Sequence, residues 1–212
     1  MIRRWCMAGL LLLVACTACG DPPAEREPAD APEAVGAAPP QGVWGVAPEA
    51  VGGTPSVVLL DGPDAEAPAP SAEPPHIDQL GLAFTPTALV VRVGETVLFT
   101  NSETVTHNVH IREMDSGETV LNVDTDPAGG AEYVFESEGG YDVTCDVHPG
   151  MRAFIYATEA PYAVLAERTG AFVVPDVPAG AYTLSVWSAD PGLRSEQEIT
   201  VSGASTEVRL GF

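Results

Sequence analysis

The chain has 212 residues, with 30 Asp and Glu against nine Arg and no Lys, a formal net charge of −21 at pH 7. Such a surface repels phosphate, which excludes nucleic acid as a natural partner, and it favours docking against basic protein faces. No nucleophilic triad, phosphate-binding loop, zinc motif or nucleotide fingerprint occurs.

Residues 1–16 have the layout of an export signal, in which Arg3 and Arg4 precede a short apolar stretch, Leu10 to Val14, too short to span a bilayer. Leu13-Val14-Ala15-Cys16 resembles a bacterial lipobox, which implies lipidation of Cys16 as the mature N-terminus. Cys19, after Cys16-Thr17-Ala18, is the alternative, and an ordinary secretory signal with incidental cysteines is the other. Thr17 in place of an Asp makes outer-membrane anchoring the default. The expected location is the periplasmic side of a bacterial membrane or the cell surface, with the membrane touched only through the lipid. Losing Arg3 and Arg4 leaves seven Arg against 30 acids, a mature charge of about −23. Residues 17–41 are rich in Pro, Ala and acidic side chains, the composition of an extended, disordered tether.

Residues 42–62 contain the apolar run Val57-Val58-Leu59-Leu60, a strand in need of a partner, and residues 63–75 form a second Pro/Ala/acidic linker. Residues 76–158 read as about eight short strands between Gly, Pro, Asn and Ser turns. They fall near Leu80–Phe84, Ala88–Arg92, Thr96–Asn101, His107–Ile111, Thr119–Val123, Ala131–Phe135, Tyr141–Cys145 and Arg152–Thr158. Short strands at this spacing predict an all-β sandwich or barrel with one modest core.

Two of these strands carry chemistry. Alternation puts His107, Val109 and Ile111 on one face and Asn108, His110 and Arg112 on the other, so His107 points into the core and His110 out. Tyr141, Val143 and Cys145 likewise share a face, and Cys145 ends its strand pointing inward. Cys145-Asp146-Val147-His148-Pro149-Gly150-Met151, taken with His107, offers one thiolate, two imidazoles and one thioether to a single point. Soft sulfur suits Cu(I) and imidazole suits Cu(II), so this set lets copper cycle between the two with little rearrangement. Of the other cysteines, Cys6 lies in the export signal, Cys16 is the expected anchor and only Cys19 remains. An exported core Cys without a partner is better explained by metal ligation than by a disulfide. His76 and His110 read as surface histidines.

Residues 162–212 are all-β as well, and 51 residues are marginal for a fold of their own. In the preceding strand Met151, Ala153, Ile155 and Ala157 share one face and Arg152, Phe154 and Tyr156 the other. Two aromatics on a nominally outer face predict a cover, and with Glu159-Ala160-Pro161 as the connector the tail is the nearest one.

Thr106-His107-Asn108-Val109-His110 and Tyr141-x3-Cys145-x2-His148-Pro149-x-Met151, with Val93-Gly94-Glu95-Thr96-Val97-x-Phe99-x-Asn101 before them, resemble the cupredoxins, in particular their amicyanin and plastocyanin branches. The resemblance implies a Greek-key β-sandwich over 76–158 and one type 1 copper held by His107, Cys145, His148 and Met151. It gives Asn108 a bond near the thiolate that braces the two ligand segments. It makes His148 the exit for the electron, in an apolar patch around Pro149 and Gly150. Gly150 departs from the family, where a bulkier residue is frequent. Gly170-Ala171-Phe172 and Val177-Pro178-Ala179-Gly180-Ala181-Tyr182-Thr183-Leu184 resemble the small carboxypeptidase regulatory-like or transthyretin-like sandwich, whose opening strands the segment 42–62 resembles, with Gly53-Thr54-Pro55 leading into Val57. The first unit is therefore expected to be inserted within the second.

The expected function is that of a monomeric one-electron carrier serving redox partner proteins with a basic docking face. Copper handling or sensing without electron transfer is the alternative, disfavoured by a chain of only four Met and four His. Enzymatic activity is not expected, because His76 and His110 are too few to build a second copper centre.

Overall fold

The computed structural model describes residues 42–62 and 73–212. The export signal with Cys16, Cys19, the tether 17–41 and most of the linker 63–75 lie outside the described residues.

Among the described residues, sixteen strands follow in order: β1 (Gly42–Val46), β2 (Val57–Asp61), β3 (His76–Gln79), β4 (Phe84–Thr85), β5 (Ala88–Arg92), β6 (Thr96–Asn101), β7 (His107–Glu113), β8 (Thr119–Thr125), β9 (Gly130–Val134), β10 (Gly139–Thr144), β11 (Arg152–Thr158), β12 (Tyr162–Leu165), β13 (Ala171–Pro175), β14 (Gly180–Trp187), β15 (Ser195–Val201) and β16 (Ser205–Val208). The sheets run β4-β3-β6-β9, β5-β11-β10-β7-β8, β12-β2-β14-β15 and β13-β1-β16. Ile77, Phe84, Val97, Phe99 and Phe135 from the first meet Val109, Ile111, Tyr141, Val143 and Ile155 from the second in one core. Val58, Leu60 and Leu184 meet Val43, Phe172 and Val208 in another. These are two β-sandwiches, and β2 pairs with β12 and β14 of the later one, while β1 pairs with β13 and β16.

A third apolar cluster joins them: Val57 and Leu59 of β2, Phe154 and Tyr156 of β11, and Trp187 of β14. The four sheets therefore stack in layers, and within the two inner ones β2 and β11 are buried on both faces. This explains the unbroken run Val57 to Leu60: its odd positions face the seam and its even positions face the second core. In β11, Ala153, Ile155 and Ala157 enter the first core, and Phe154 stacks on Trp187 with ring centroids 5.2 Å apart. The seam is closed at its rim by Arg194, which lies 4.9 Å over the Trp187 ring and bonds Asp115 at 2.6 and 3.0 Å.

The strand expected over Leu80–Phe84 is not there. β3 stops at Gln79 and pairs antiparallel with the two-residue β4. Gly81 and Leu82 adopt φ of +67° and +56°, which turns the chain and ends the extended run that the apolar residues imply.

Candidate metal centre

β7 and β10 are antiparallel neighbours, with Ile111 opposite Val143 and His110 opposite Thr144. One more step along β10 sets Cys145 beside Val109, on the core face shared with His107. Both side chains are buried, His107 completely. The loop after Cys145 folds back at once: Cys145 N–H donates to Met151 O and Met151 N–H to His148 O, each at 3.3 Å. That closure carries the half-buried His148 over the thiol and returns Met151, also buried, to the same core cluster as Cys145.

The donor atoms form a triangle. Cys145 Sγ lies 3.9 Å from His107 Nδ1 and 3.9 Å from His148 Nδ1, and the two Nδ1 atoms are 3.0 Å apart. At an ion at ordinary distances of about 2.0 Å from nitrogen and about 2.3 Å from sulfur, the three pairs of these atoms would subtend angles of about 97°, 130° and 130°. Their sum, about 357°, is that of a planar site, so the residues fit a trigonal His2Cys centre with Met151 nearby.

A polar frame holds the ligand segments. Asn108 Oδ1 accepts from Asp146 N–H at 3.3 Å, and its Nδ2 donates to Asn122 Oδ1 at 2.8 Å and Val123 O at 3.2 Å, which ties β7, β8 and the ligand loop. The fully buried Gln79 donates to Asn108 O and accepts from Thr125 Oγ1. Asn101 Nδ2 donates to Val105 O and Thr125 O, both at 2.8 Å, and shapes the turn that delivers His107.

Neither of the other histidines joins the site. His76 is exposed with Nε2 2.7 Å from Thr100 Oγ1. His110 faces outward between Asp146 and Thr119, each at 2.9 Å. The hydrogen bond to His110, helped by one from Asn122, holds the Asp146 carboxyl below the usual carboxylate range. Gln79 and Glu103 were not singled out by the sequence reading. Glu103 Oε2 lies 3.6 Å from His107 Nε2, and its place four residues before a candidate ligand is the one local signal it carried.

A buried imidazole, a half-buried one and a buried thiol set in a triangle are a metal-binding geometry. Residues 75–157 match the family described as copper binding proteins, plastocyanin/azurin family. The match spans the first sandwich, so the matched segment is set between β1–β2 and β12–β16 in the sequence. Among solved structures, the chain is similar to an oxidised mutant of amicyanin, at 27% identity over 48% of this chain and 98% of that one, with a TM-score of 0.37. Amicyanin from Paracoccus versutus aligns at 20% identity over 48% and 97%, with a TM-score of 0.38. A purple cupredoxin from Nitrosopumilus maritimus aligns at 25% over 40% and 99%, with a TM-score of 0.35. No curated protein matches the chain. Gly150, the departure from the cupredoxin pattern, has φ +105° and open space where a side chain would go. Its backbone conformation, rather than crowding, is what favours glycine there.

Proposed function

We propose that His107, Cys145, His148 and Met151 hold one type 1 copper ion and that the protein is a one-electron carrier. The observation that carries this reading is the near-planar triangle of His107 Nδ1, His148 Nδ1 and Cys145 Sγ. Bound there, copper supplies a Cu(I)/Cu(II) couple. The chain's own residues do the rest. Buried His107 and Cys145 are fixed by strands β7 and β10, so the donor positions change little between oxidation states. Asn108 braces the two ligand segments and restrains the thiolate end of β10. His148 alone of the three reaches the surface, next to the exposed Val147, and its ring edge is the short route for an electron to a docked partner.

A net charge of −21 steers such a carrier toward a partner with a basic docking face. Lipidation at Cys16 on the periplasmic side of a bacterial membrane, outer rather than inner, would put the tether 17–41 between anchor and carrier. The second sandwich is read as carboxypeptidase regulatory-like, a support that covers the outer face of β11; the pairing of β2 with β12 and β14 favours this reading.

Titration of the purified protein with Cu(II), followed by visible absorption, tests the site. An intense blue thiolate-to-copper band at one equivalent, bleached by ascorbate and absent in Cys145→Ala, is expected. No band, or a weak one that survives Cys145→Ala, would replace electron transfer with copper handling or a structural role.

A further inference from the structure

His107 Nε2 is buried and has no hydrogen-bond partner within bonding distance. A metal taken at Nδ1 leaves the ring proton on Nε2, and a buried N–H facing no acceptor is destabilising. The group set to receive it is Glu103, whose Oε2 stands 3.6 Å away. Glu103 is fixed at both its carboxylate and its backbone. Its Oε1 accepts from Leu82 N–H at 2.6 Å, its own backbone N–H donates to Asn101 Oδ1 at 2.9 Å, and Asn101 is fixed in turn by Val105 O and Thr125 O. The positive φ of Leu82 belongs to the same turn that aims its N–H at Glu103.

We propose that Glu103 is the outer partner of His107. Its carboxylate takes the Nε2–H, holds Nδ1 as the free donor and makes the imidazole a stronger electron donor to the metal. The proposal rests on the copper reading above, and it adds a determinant of the potential that the four ligands do not contain. A ligand imidazole whose outer N–H meets a carboxylate is more basic, which favours Cu(II) over Cu(I) and lowers the reduction potential. In the metal-free protein the same contact decides the tautomers. The two Nδ1 atoms are 3.0 Å apart, so one proton is shared between them, and with the His107 proton on Nε2 the donor is His148.

Glu103→Gln keeps the shape and an oxygen for Leu82 N–H but removes the charge. It is expected to weaken Cu(II) binding about tenfold, the low end for loss of such a partner, while Cu(I) binding changes less. If Cu(I) binding is unchanged, tenfold corresponds to about 59 mV upward in potential. Glu103→Asp, which restores a carboxylate on a shorter arm, should recover part of both effects. Nitrogen-15 histidine NMR of the metal-free protein supplies a readout that needs no copper: His107 of the wild type should carry its proton on Nε2, and Glu103→Gln should admit the Nδ1–H form. A wild type with His107 protonated on Nδ1 would overturn the proposal. So would a Glu103→Gln protein that is blue and less heat-stable but has unchanged potential and Cu(II) affinity, since that is a structural role alone. A wild type with no blue band fails the copper reading instead, and the NMR result then still decides the Glu103–His107 pairing.

Discussion

At the scale of single residues, the site is a case of two neighbouring strands presenting ligands by parity. His107 and Cys145 lie on inward positions of β7 and β10, and both are buried; His110, one step out of phase with Ile111, is hydrogen-bonded outside. The outward Asn108 is nonetheless buried, because β8 and the ligand loop close over it. Asn108→Ala removes that brace and strands the Asp146 N–H, with an expected loss of about 1–3 kcal/mol. Chemical denaturation of the metal-free protein would read the loss, and a faster release of copper to a chelator would accompany it. Removing the side chain without either effect would mean that the closure from Cys145 N–H to Met151 O is sufficient to hold the loop.

At the scale of elements, β10 and β11 join the metal site to the seam. The end of β10 carries Cys145, and its start carries Gly140, where a Cβ would stand 2.4 Å from Trp187 Cζ2. Gly140 is thus a close-approach glycine that lets β14 lie on the five-stranded sheet. Gly140→Ala should cost about 1–3 kcal/mol by overpacking, seen as a lower Tm, with the blue band unchanged because the donor atoms are at the opposite end of the strand. Trp187→Ala opens the same contact from the other side, removing the stack on Phe154 and the seat of Arg194. An expected loss of about 3–5 kcal/mol follows from a large aromatic deleted out of a buried cluster. Burial in this seam also pushes the Tyr156 phenol up to about 12, so Tyr156 stays neutral through the working range.

At the scale of the whole molecule, two electrostatic effects are separable. Asp115 and Arg194 tie the first sandwich to the second, and the hydrogen bond from Arg194 holds the Asp115 carboxyl below its usual range. Because the folded value is depressed, this contribution is present above the unfolded pKa of about 3.9 and is lost as pH falls through the folded value. Asp115→Asn should therefore be less stable than wild type at pH 7, and the gap should close as the pH falls through the depressed folded value; a gap independent of pH would assign the loss to packing instead. The net charge of −21 acts at longer range. Oxidation of the reduced copper protein by a cationic small-molecule complex should slow as salt rises, whereas the rate with an anionic complex should increase, both measured by stopped flow.

The sequence by itself determined the all-β class, the positions of most strands in 76–158 and the inward set of each, because alternation is a local property that the pleat converts directly into a face. It also determined that β2 and β11 carry apolar side chains on both faces, which announced a cover and, through the short connector at 159–161, pointed to the tail as the nearest one. Which surfaces meet was a matter for the tertiary structure. Val57 to Leu60 lie more than 100 residues from their partner β14, and no local pattern selects one apolar face over another at that distance. The same holds for Glu103. Its carboxylate is an ordinary loop acid in the sequence, and only the turn at Gly81-Leu82 and the frame around Asn101 bring it to the buried His107 ring nitrogen that lacks a hydrogen-bond partner.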